Sequence, residues 1–150
     1  FLASLGDGPA PVQVSMFPVE AELTPGDMVI LDEISEDLNR MGFDVEREKG
    51  NRVIIKGHPA DSRNPHPLEM LCTLIAEYKV TLNDPSVGAR ERVAMSMAKA
   101  SSIAYGMALT QTEMEELFDQ LFACSMPGYS PTGKAVMNII TMEELDKRFS

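Results

Sequence analysis

The spacing of apolar residues changes its period along the chain, and this change limits the possible folds more than any other feature. Between residues 12 and 23, apolar side chains alternate with others, as on a half-buried strand, although Pro18 interrupts the run. Between residues 28 and 41 they recur at helical spacing instead. The chain is therefore predicted to belong to the mixed α+β class.

Local signals set the limits of the first predicted helix and of the hairpin after it. Thr24 is a helix-capping residue, Pro25 suits the first helical position, and Gly42 ends the helical pattern. Strands are predicted from residue 43 and from residue 53, on either side of a Lys-Gly-Asn turn. A second helix is predicted between residues 68 and 78. The predicted order of elements from residue 12 to about residue 82 is therefore strand, helix, hairpin, helix.

The remainder of the chain is predicted to be mainly helical. One helix is expected over residues 88–105, and capping boxes at Thr110 and Thr141 predict two more. The apolar run AVMNIIT at 135–141 is predicted to be a strand.

Composition excludes some classes of function. The chain has 150 residues and a formal net charge of −10, without the basic stripe that duplex-binding modules use to displace counterions. We therefore expect DNA to be bound weakly, or through another domain. No apolar run approaches the roughly 20 residues that span a bilayer, so no membrane contact is expected. The opening Phe-Leu-Ala-Ser-Leu resembles the end of an apolar element and suggests a fragment of a larger protein.

The stretch GYSPTGKA at 128–135 is one residue short of a phosphate-binding loop. That loop needs a preceding strand, a following helix and a hydroxyl after the lysine. Here a predicted helix precedes, a predicted strand follows, and Ala135 takes the hydroxyl position. Nucleotide binding at this loop is not expected.

Other polar groups have simpler interpretations than catalysis. His58 and His66, with Asp61 nearby, allow a weak metal patch, but a solvent-exposed loop is the favoured interpretation. Cys72 and Cys124 are predicted to be buried free thiols of a protein in a reducing compartment. The acidic residues of the first helix are predicted to form a solvated face; they are Asp32, Glu33, Glu36 and Asp37.

Three landmarks carry a resemblance to the C-terminal domain of the MutL family of DNA mismatch repair proteins. They are the helices MSMAKASSIAYG and LTQTEMEELFDQLF, the loop SPTGKA, and the segment VMNIITMEELDKRF. The upstream part, FPVEAELT to VIIKGHPAD, is similar to the small outer lobe of that family. The resemblance implies two lobes: residues 1–11 plus 87–150 as the dimerisation lobe, and residues 12–86 as the outer lobe.

Nuclease-competent members of this family hold a metal with motifs that match two places here. Their Ala-Cys-His step falls on residues 98–100, where Lys99 replaces the thiol. Their Cys-Pro-His-Gly-Arg-Pro motif falls on residues 130–135, where Ser130, Thr132 and Lys134 stand. Zinc-type sites need thiolate or imidazole, and a cation repels a divalent ion. We therefore expect no metal, no cofactor and no catalytic residue in this chain.

A second feature carried by the resemblance is a contact peptide for the replication sliding clamp. The stretch QVSMFP resembles the Gln-x-x-(Leu/Met)-x-Pro peptide of the family, which places the contact at Gln13, Met16, Phe17 and Pro18. An extended edge segment can present a glutamine and two apolar side chains to a pocket. The alternative is a strand with a proline bulge and no partner.

The resemblance implies a homodimerisation domain of a cytoplasmic repair protein whose ATPase domain lies elsewhere. Its partners would be a second copy, the sliding clamp and other mismatch repair proteins. The predicted dimer contact is apolar surface at Val136, Ile139, Ile140 and Met142. The alternative function is a metal-dependent DNA-nicking endonuclease domain, with ligands partly outside this chain and His58 or His66 contributing.

Overall fold

The computed structural model describes residues 10–60, 62, 66–103 and 105–149. Within this range the chain forms β1 (Val12–Glu22), α1 (Pro25–Arg40), β2 (Asp44–Arg47), β3 (Arg52–Pro59), α2 (Pro67–Thr81), α3 (Ala89–Ala100), α4 (Gln111–Ala123) and α5 (Met142–Phe149). The α+β prediction is confirmed. None of the described helices is both long enough and apolar enough to cross a bilayer.

The chain divides into two compact units, residues 1–105 and residues 106–150, here called the N-terminal unit and the C-terminal unit. The lobes inferred from the resemblance have a different boundary, near residue 87, and their identity stays a prediction. Residues 1–9, which that prediction places in the dimerisation lobe, lie outside the described residues.

The N-terminal unit contains a three-stranded antiparallel sheet in the order β1-β3-β2. Val53 and Ile55 of the central strand are fully buried, and they face a core that α1, α2 and α3 complete. Every buried apolar residue of the described chain lies between Leu23 and Ala100. The hydrophobic stabilisation of the chain is therefore concentrated in this unit.

Helix α1 begins and ends where the sequence predicts. The Thr24 hydroxyl accepts a hydrogen bond from the Asp27 amide at 3.2 Å, and Pro25 occupies the first turn. Gly42 follows the helix with φ +91°, a conformation that favours glycine. A Cβ atom at Gly42 would also lie only 3.0 Å from the Pro11 carbonyl oxygen. The positive φ of Gly42 lets the chain leave the helix, and the missing side chain leaves room for the backbone at Pro11.

Helix α3 is shorter than predicted. It ends at Ala100 rather than near Tyr105, and Ser101 is its C-terminal cap. The Ser102 hydroxyl donates to the Lys99 carbonyl oxygen at 2.7 Å, which offers the backbone an alternative to a further helical turn.

The C-terminal unit contains α4 and α5, each started by a capping box as predicted. Thr110 and Glu113 exchange both capping bonds in α4, and Thr141 and Glu144 do so before α5. The strand predicted at 135–141 is wrong, because only the bridge of Ala135 to Tyr129 forms. A strand needs a neighbouring edge to satisfy its backbone, and the described C-terminal unit supplies that edge at one residue only.

Candidate interaction surfaces

Strand β1 lies at an edge of the sheet and carries a large bulge in its middle. Val14 pairs with Gly57 and Val19 pairs with Ile55, so residues 15–18 stand opposite Lys56 alone. The extra residues have no partners in the ladder, and the strand bends outward. The proline inside the alternating pattern was the sequence signal for this interruption.

The bulge contains the apolar part of the predicted clamp peptide. The side chains of Met16 and Phe17 are 89% and 81% exposed, and Pro18 is exposed beside them. Gln13 lies before the bulge, in regular pairing with His58, and its side chain is also exposed. The four residues proposed from the sequence therefore lie on one protruding segment, residues 13–18, here called the presented segment.

The presented segment is anchored on the side of its N-terminus. The Ala10 amide donates to the Arg40 carbonyl at 2.7 Å, and the Ala60 amide donates to the Pro11 carbonyl at 3.1 Å. Regular pairing of β1 with β3 resumes at Val19 on the other side. These backbone hydrogen bonds on the two sides, here called the frame, hold both ends of an exposed apolar bulge in place.

The GYSPTGKA loop forms a closed turn. The Ser130 amide donates to the Lys134 carbonyl at 2.8 Å, and the Gly133 amide donates to the Ser130 carbonyl at 2.9 Å. The Lys134 amide donates to the Ser130 hydroxyl oxygen at 3.1 Å. Because these amides are used inside the turn, the loop does not offer them to a phosphate group.

The positions matching the metal motifs carry side chains that do not fit a transition-metal site. The hydroxyl oxygens of Ser130 and Thr132 lie 3.0 Å apart in a hydrogen bond with each other. Lys99, in the N-terminal unit, pairs with Glu77 at 2.6 Å. Zinc and manganese sites are built from thiolate, imidazole or carboxylate groups, and a lysine ammonium cannot donate an electron pair.

The two histidines do not share the environment that the sequence predicted. His66 is exposed and precedes α2, as expected of a loop residue. His58 is buried within β3, and its Nδ1 lies 3.2 Å from the Pro59 carbonyl oxygen, so the prediction of an exposed loop is wrong for it. The strand extends through His58 because β1 pairs with it. Asp61 lies outside the described residues, and among those described no group of three or more His, Cys, Asp or Glu could hold a metal.

Both cysteines are free, as predicted, but neither is buried. Cys72 is exposed next to the buried Leu71 of α2, because one residue turns the side chain by about 100° around a helix. Desolvation by packed neighbours, with the nearby Asp27 carboxylate, raises the pKa of the Cys72 thiol. The thiolate fraction at neutral pH is reduced accordingly.

The acidic face of α1 is solvated, as predicted. Asp32, Glu33 and Glu36 are exposed and Asp37 is half-buried, and two of the four form ion pairs. Arg47 of β2 pairs with Asp32, and Arg40 pairs with Glu36 at 2.5 Å.

Helix α4 presents an apolar stripe that no described residue of its own unit covers. Five apolar residues recur at helical spacing, here called the α4 stripe: Met114, Leu117, Phe118, Leu121 and Phe122. Phe118 is 63% exposed and its ring stacks on Phe122 with centroids 5.8 Å apart. The capping box at Thr110 predicts this helix from the sequence, but no local pattern predicts that its apolar face is exposed.

The predicted dimer residues are exposed as well. Ile139 is 79% exposed, and Val136, Ile140 and Met142 are exposed with it. Each residue among the described positions 106–149 is exposed or partly buried, and none is fully buried. A helix of 13 residues is marginal in water without tertiary packing, so covering this apolar surface would stabilise the unit.

A small α+β domain with a protruding apolar peptide and uncovered apolar helices belongs to the class of protein–protein interaction domains. The sequence model of the family "MutL C terminal dimerisation domain" matches residues 2–109. The chain belongs to this family of DNA mismatch repair domains, which confirms the resemblance.

Full-length relatives agree with this assignment. DNA mismatch repair protein MutL of Bacteroides fragilis (strain YCH46) is 32% identical over 134 residues, which cover 89% of this chain and 21% of that protein. The MutL proteins of Chlorobium phaeobacteroides (strain BS1) and Chlorobaculum tepidum are each 34% identical over 137 residues, 91% of this chain and 22% of theirs. The chain spans about a fifth of the length of these relatives.

Proposed function

We propose that this chain joins two copies of a DNA mismatch repair protein into a homodimer. The observation that carries the proposal is the C-terminal unit, in which every described apolar side chain is exposed or only partly buried. Covering such surface is favourable by roughly 25 cal/mol per Å² of apolar area. Membership of a dimerisation-domain family makes a second copy the partner that fits best.

The contact we propose has two parts within the C-terminal unit. One is the α4 stripe, whose aromatic residues Phe118 and Phe122 supply large, rigid apolar area. The other is the segment from Val136 to Met142, where the unpaired backbone around Ile139 and Ile140 offers an edge for strand pairing. A two-fold axis would bring the same surfaces of both copies together.

Charged substitutions separate the two parts of the contact. Phe118→Asp and Ile139→Asp each place a carboxylate in the proposed interface, so the dimer should dissociate at least tenfold more readily in light-scattering measurements. Val29→Asp is the matched control, because Val29 is an exposed apolar residue of α1 in the N-terminal unit. If all three variants keep the same mass profile, the proposed contact is wrong.

Dimerisation would bring together the other domains of two copies of the whole protein. Two ATPase arms joined through this domain would meet at an effective concentration set by their linkers, without any new contact between them. We place the protein in the cytoplasm, where the chromosome of bacterial relatives lies, with DNA held by the arms. Other mismatch repair proteins would bind the joined dimer.

We further propose that the presented segment binds the replication sliding clamp. The support is geometric: Met16 and Phe17 protrude from an anchored frame, and Gln13 stands exposed at the start of the same segment. Two apolar side chains and a hydrogen-bonding amide suit a pocket with a polar rim.

Substitution of the presented segment tests the clamp contact. Gln13→Ala combined with Phe17→Ala should weaken binding to an immobilised bacterial sliding clamp by about 30-fold or more, since a buried aromatic anchor typically contributes 2 kcal/mol or more. Val80→Ala is the matched control, being an exposed apolar residue on α2. The mass of the dimer should not change in either variant, and unchanged clamp affinity would refute the contact.

We assign no catalytic role to this domain. The support is the donor chemistry at the motif positions, with Lys99 paired to Glu77 and the hydroxyl groups of Ser130 and Thr132 used within their turn. The test is nicking of supercoiled plasmid by the full-length protein with manganese. No nicking is expected, and robust activity that a chelator abolishes would favour an endonuclease.

A further inference from the structure

The bulge in β1 is closed by a hydrogen bond within itself. The Ser15 hydroxyl donates to the Phe17 carbonyl oxygen at 2.6 Å, across two residues. Ser15 is half-buried, whereas Met16 and Phe17 are exposed. The bond therefore bends the backbone around the very residues whose side chains point to solvent.

The neighbouring strand fixes where the bulge begins. Val14 is the last regularly paired residue before it, and its partner is Gly57. A Cβ atom at position 57 would lie 2.6 Å from Val12 Cγ1 and 3.1 Å from the Gln13 carbonyl oxygen. Only glycine gives β1 room to approach at this point, so Gly57 sets the register that leaves residues 15–18 unpaired.

On this geometry we propose that Ser15 is a positioning residue for the sliding-clamp contact, and that Gly57 supports it from β3. The inference rests on the clamp contact proposed above and adds how that peptide is prepared for binding. Residues already held in their bound conformation lose less conformational entropy on association. Ser15 acts through the backbone of the bulge, so its side chain need not touch the partner.

Removal of the hydroxyl group tests this role. Ser15→Ala should weaken binding of the chain to an immobilised bacterial sliding clamp by about two- to tenfold, the range of one net hydrogen bond. Ser15→Thr keeps the hydroxyl and should restore the affinity. Ser35→Ala removes a similar bond, from the Ser35 hydroxyl to the Asp32 carbonyl at 3.0 Å on α1, and should leave the affinity unchanged.

A free peptide distinguishes positioning from direct contact. In a synthetic peptide of residues 11–20 the frame is absent, so Ser15→Ala should not change clamp affinity. An equal loss in the peptide and in the chain would overturn the proposal, because it would mean that Ser15 contacts the clamp itself.

A glycine substitution in β3 provides a second, independent variant. Gly57→Ala should displace β1 beside the bulge and weaken clamp binding by about threefold or more, within the range of a lost preorganised contact. Gly26→Ala is its control, because a Cβ atom there meets only the Thr24 hydroxyl oxygen at 3.9 Å.

The outcomes separate the two proposals. If Gln13→Ala with Phe17→Ala weakens clamp binding while Ser15→Ala and Gly57→Ala leave it unchanged, the positioning role is wrong and the clamp contact stands. If none of these variants changes the affinity, the clamp contact itself is refuted.

Discussion

Asp27 connects the start of α1 with the end of α2 through a single carboxylate. One of its oxygens accepts from Lys79 Nζ at 2.5 Å, and the other accepts from the Thr24 hydroxyl at 2.6 Å. The Lys79 hydrogen bond, followed by that of Thr24, lowers the pKa of Asp27 from its ordinary value of 3.8. The ionised carboxylate is thus preferred in the folded chain.

The lowered pKa predicts how stability depends on pH. A carboxyl group whose folded pKa is depressed stabilises the fold above its unfolded pKa and loses this contribution as pH falls through the folded pKa. Asp27→Asn should cost about 0.5–1 kcal/mol at pH 7, a value discounted because Lys79 is partly solvated. The difference from the unaltered chain should shrink as pH falls below the ordinary value of 3.8, and it should vanish only below the lowered pKa of the folded chain.

Chemical denaturation at pH 7 and at pH 2.5 measures this difference. A cycle with Lys79→Met isolates the pair, since each single variant removes the same interaction. An equal loss of stability at both pH values would show that the charge of Asp27 is not responsible.

The environment of a single residue can be predicted from the sequence where residues close to it in the chain determine that environment. The Thr24 and Thr110 caps depend on contacts three residues away, and both form as predicted. His58 was assigned wrongly because its burial depends on Gln13, a distant residue that pairs with it. The prediction that Cys72 is buried is wrong for a different reason: α2 is apolar, but its helical phase places Cys72 just beside the buried face.

At the scale of elements, Tyr78 joins α2 to α1. Its ring is almost fully buried, and its hydroxyl donates to Glu33 Oε1 at 3.0 Å. Desolvation, together with this bond to Glu33, raises the pKa of Tyr78. The tyrosine is therefore held as a neutral hydrogen-bond donor at neutral pH.

Tyr78→Phe removes this link while keeping the ring. It should cost about 1–2 kcal/mol, because a hydrogen bond to a charged group is stronger than a neutral one. Urea denaturation measures the change, with Tyr105→Phe as control since Tyr105 is fully exposed. Equal stability of the Tyr78 variant and the unaltered chain would contradict the proposed link.

Elements were predictable where local pattern and final packing agree. The order from β1 to α2 follows from periodicity and turn residues, and the structure confirms it. The run at 135–141 shows the limit of this reasoning. Its β-branched residues favour a strand, yet a strand also requires a partner edge, which no local pattern specifies. The bulge at Pro18 was signalled, but its length depends on the register with β3.

At the scale of the whole molecule, the two units differ in how they can be stabilised. The N-terminal unit has a core of fully buried residues, such as Ile34 and Leu74. The C-terminal unit has capped helices with no buried residue in either described helix. We infer that the first unit is stabilised internally and the second by association.

This contrast predicts a difference in concentration dependence. Leu74→Ala should lose about 2–5 kcal/mol of unfolding free energy at every protein concentration, because it leaves a cavity in a closed core. Phe118→Ala should lower the melting temperature of the C-terminal unit mainly at concentrations where the dimer forms. Thermal scans over a hundredfold range of concentration would separate the two behaviours. If the loss in melting temperature depends on protein concentration in the same way for both variants, the inference is wrong.

Self-association is the central claim, and sedimentation equilibrium of the unaltered chain tests it most directly. The account predicts a mass that approaches twice 16.5 kDa as the concentration rises to tens of micromolar. A mass that stays at 16.5 kDa throughout that range would contradict it.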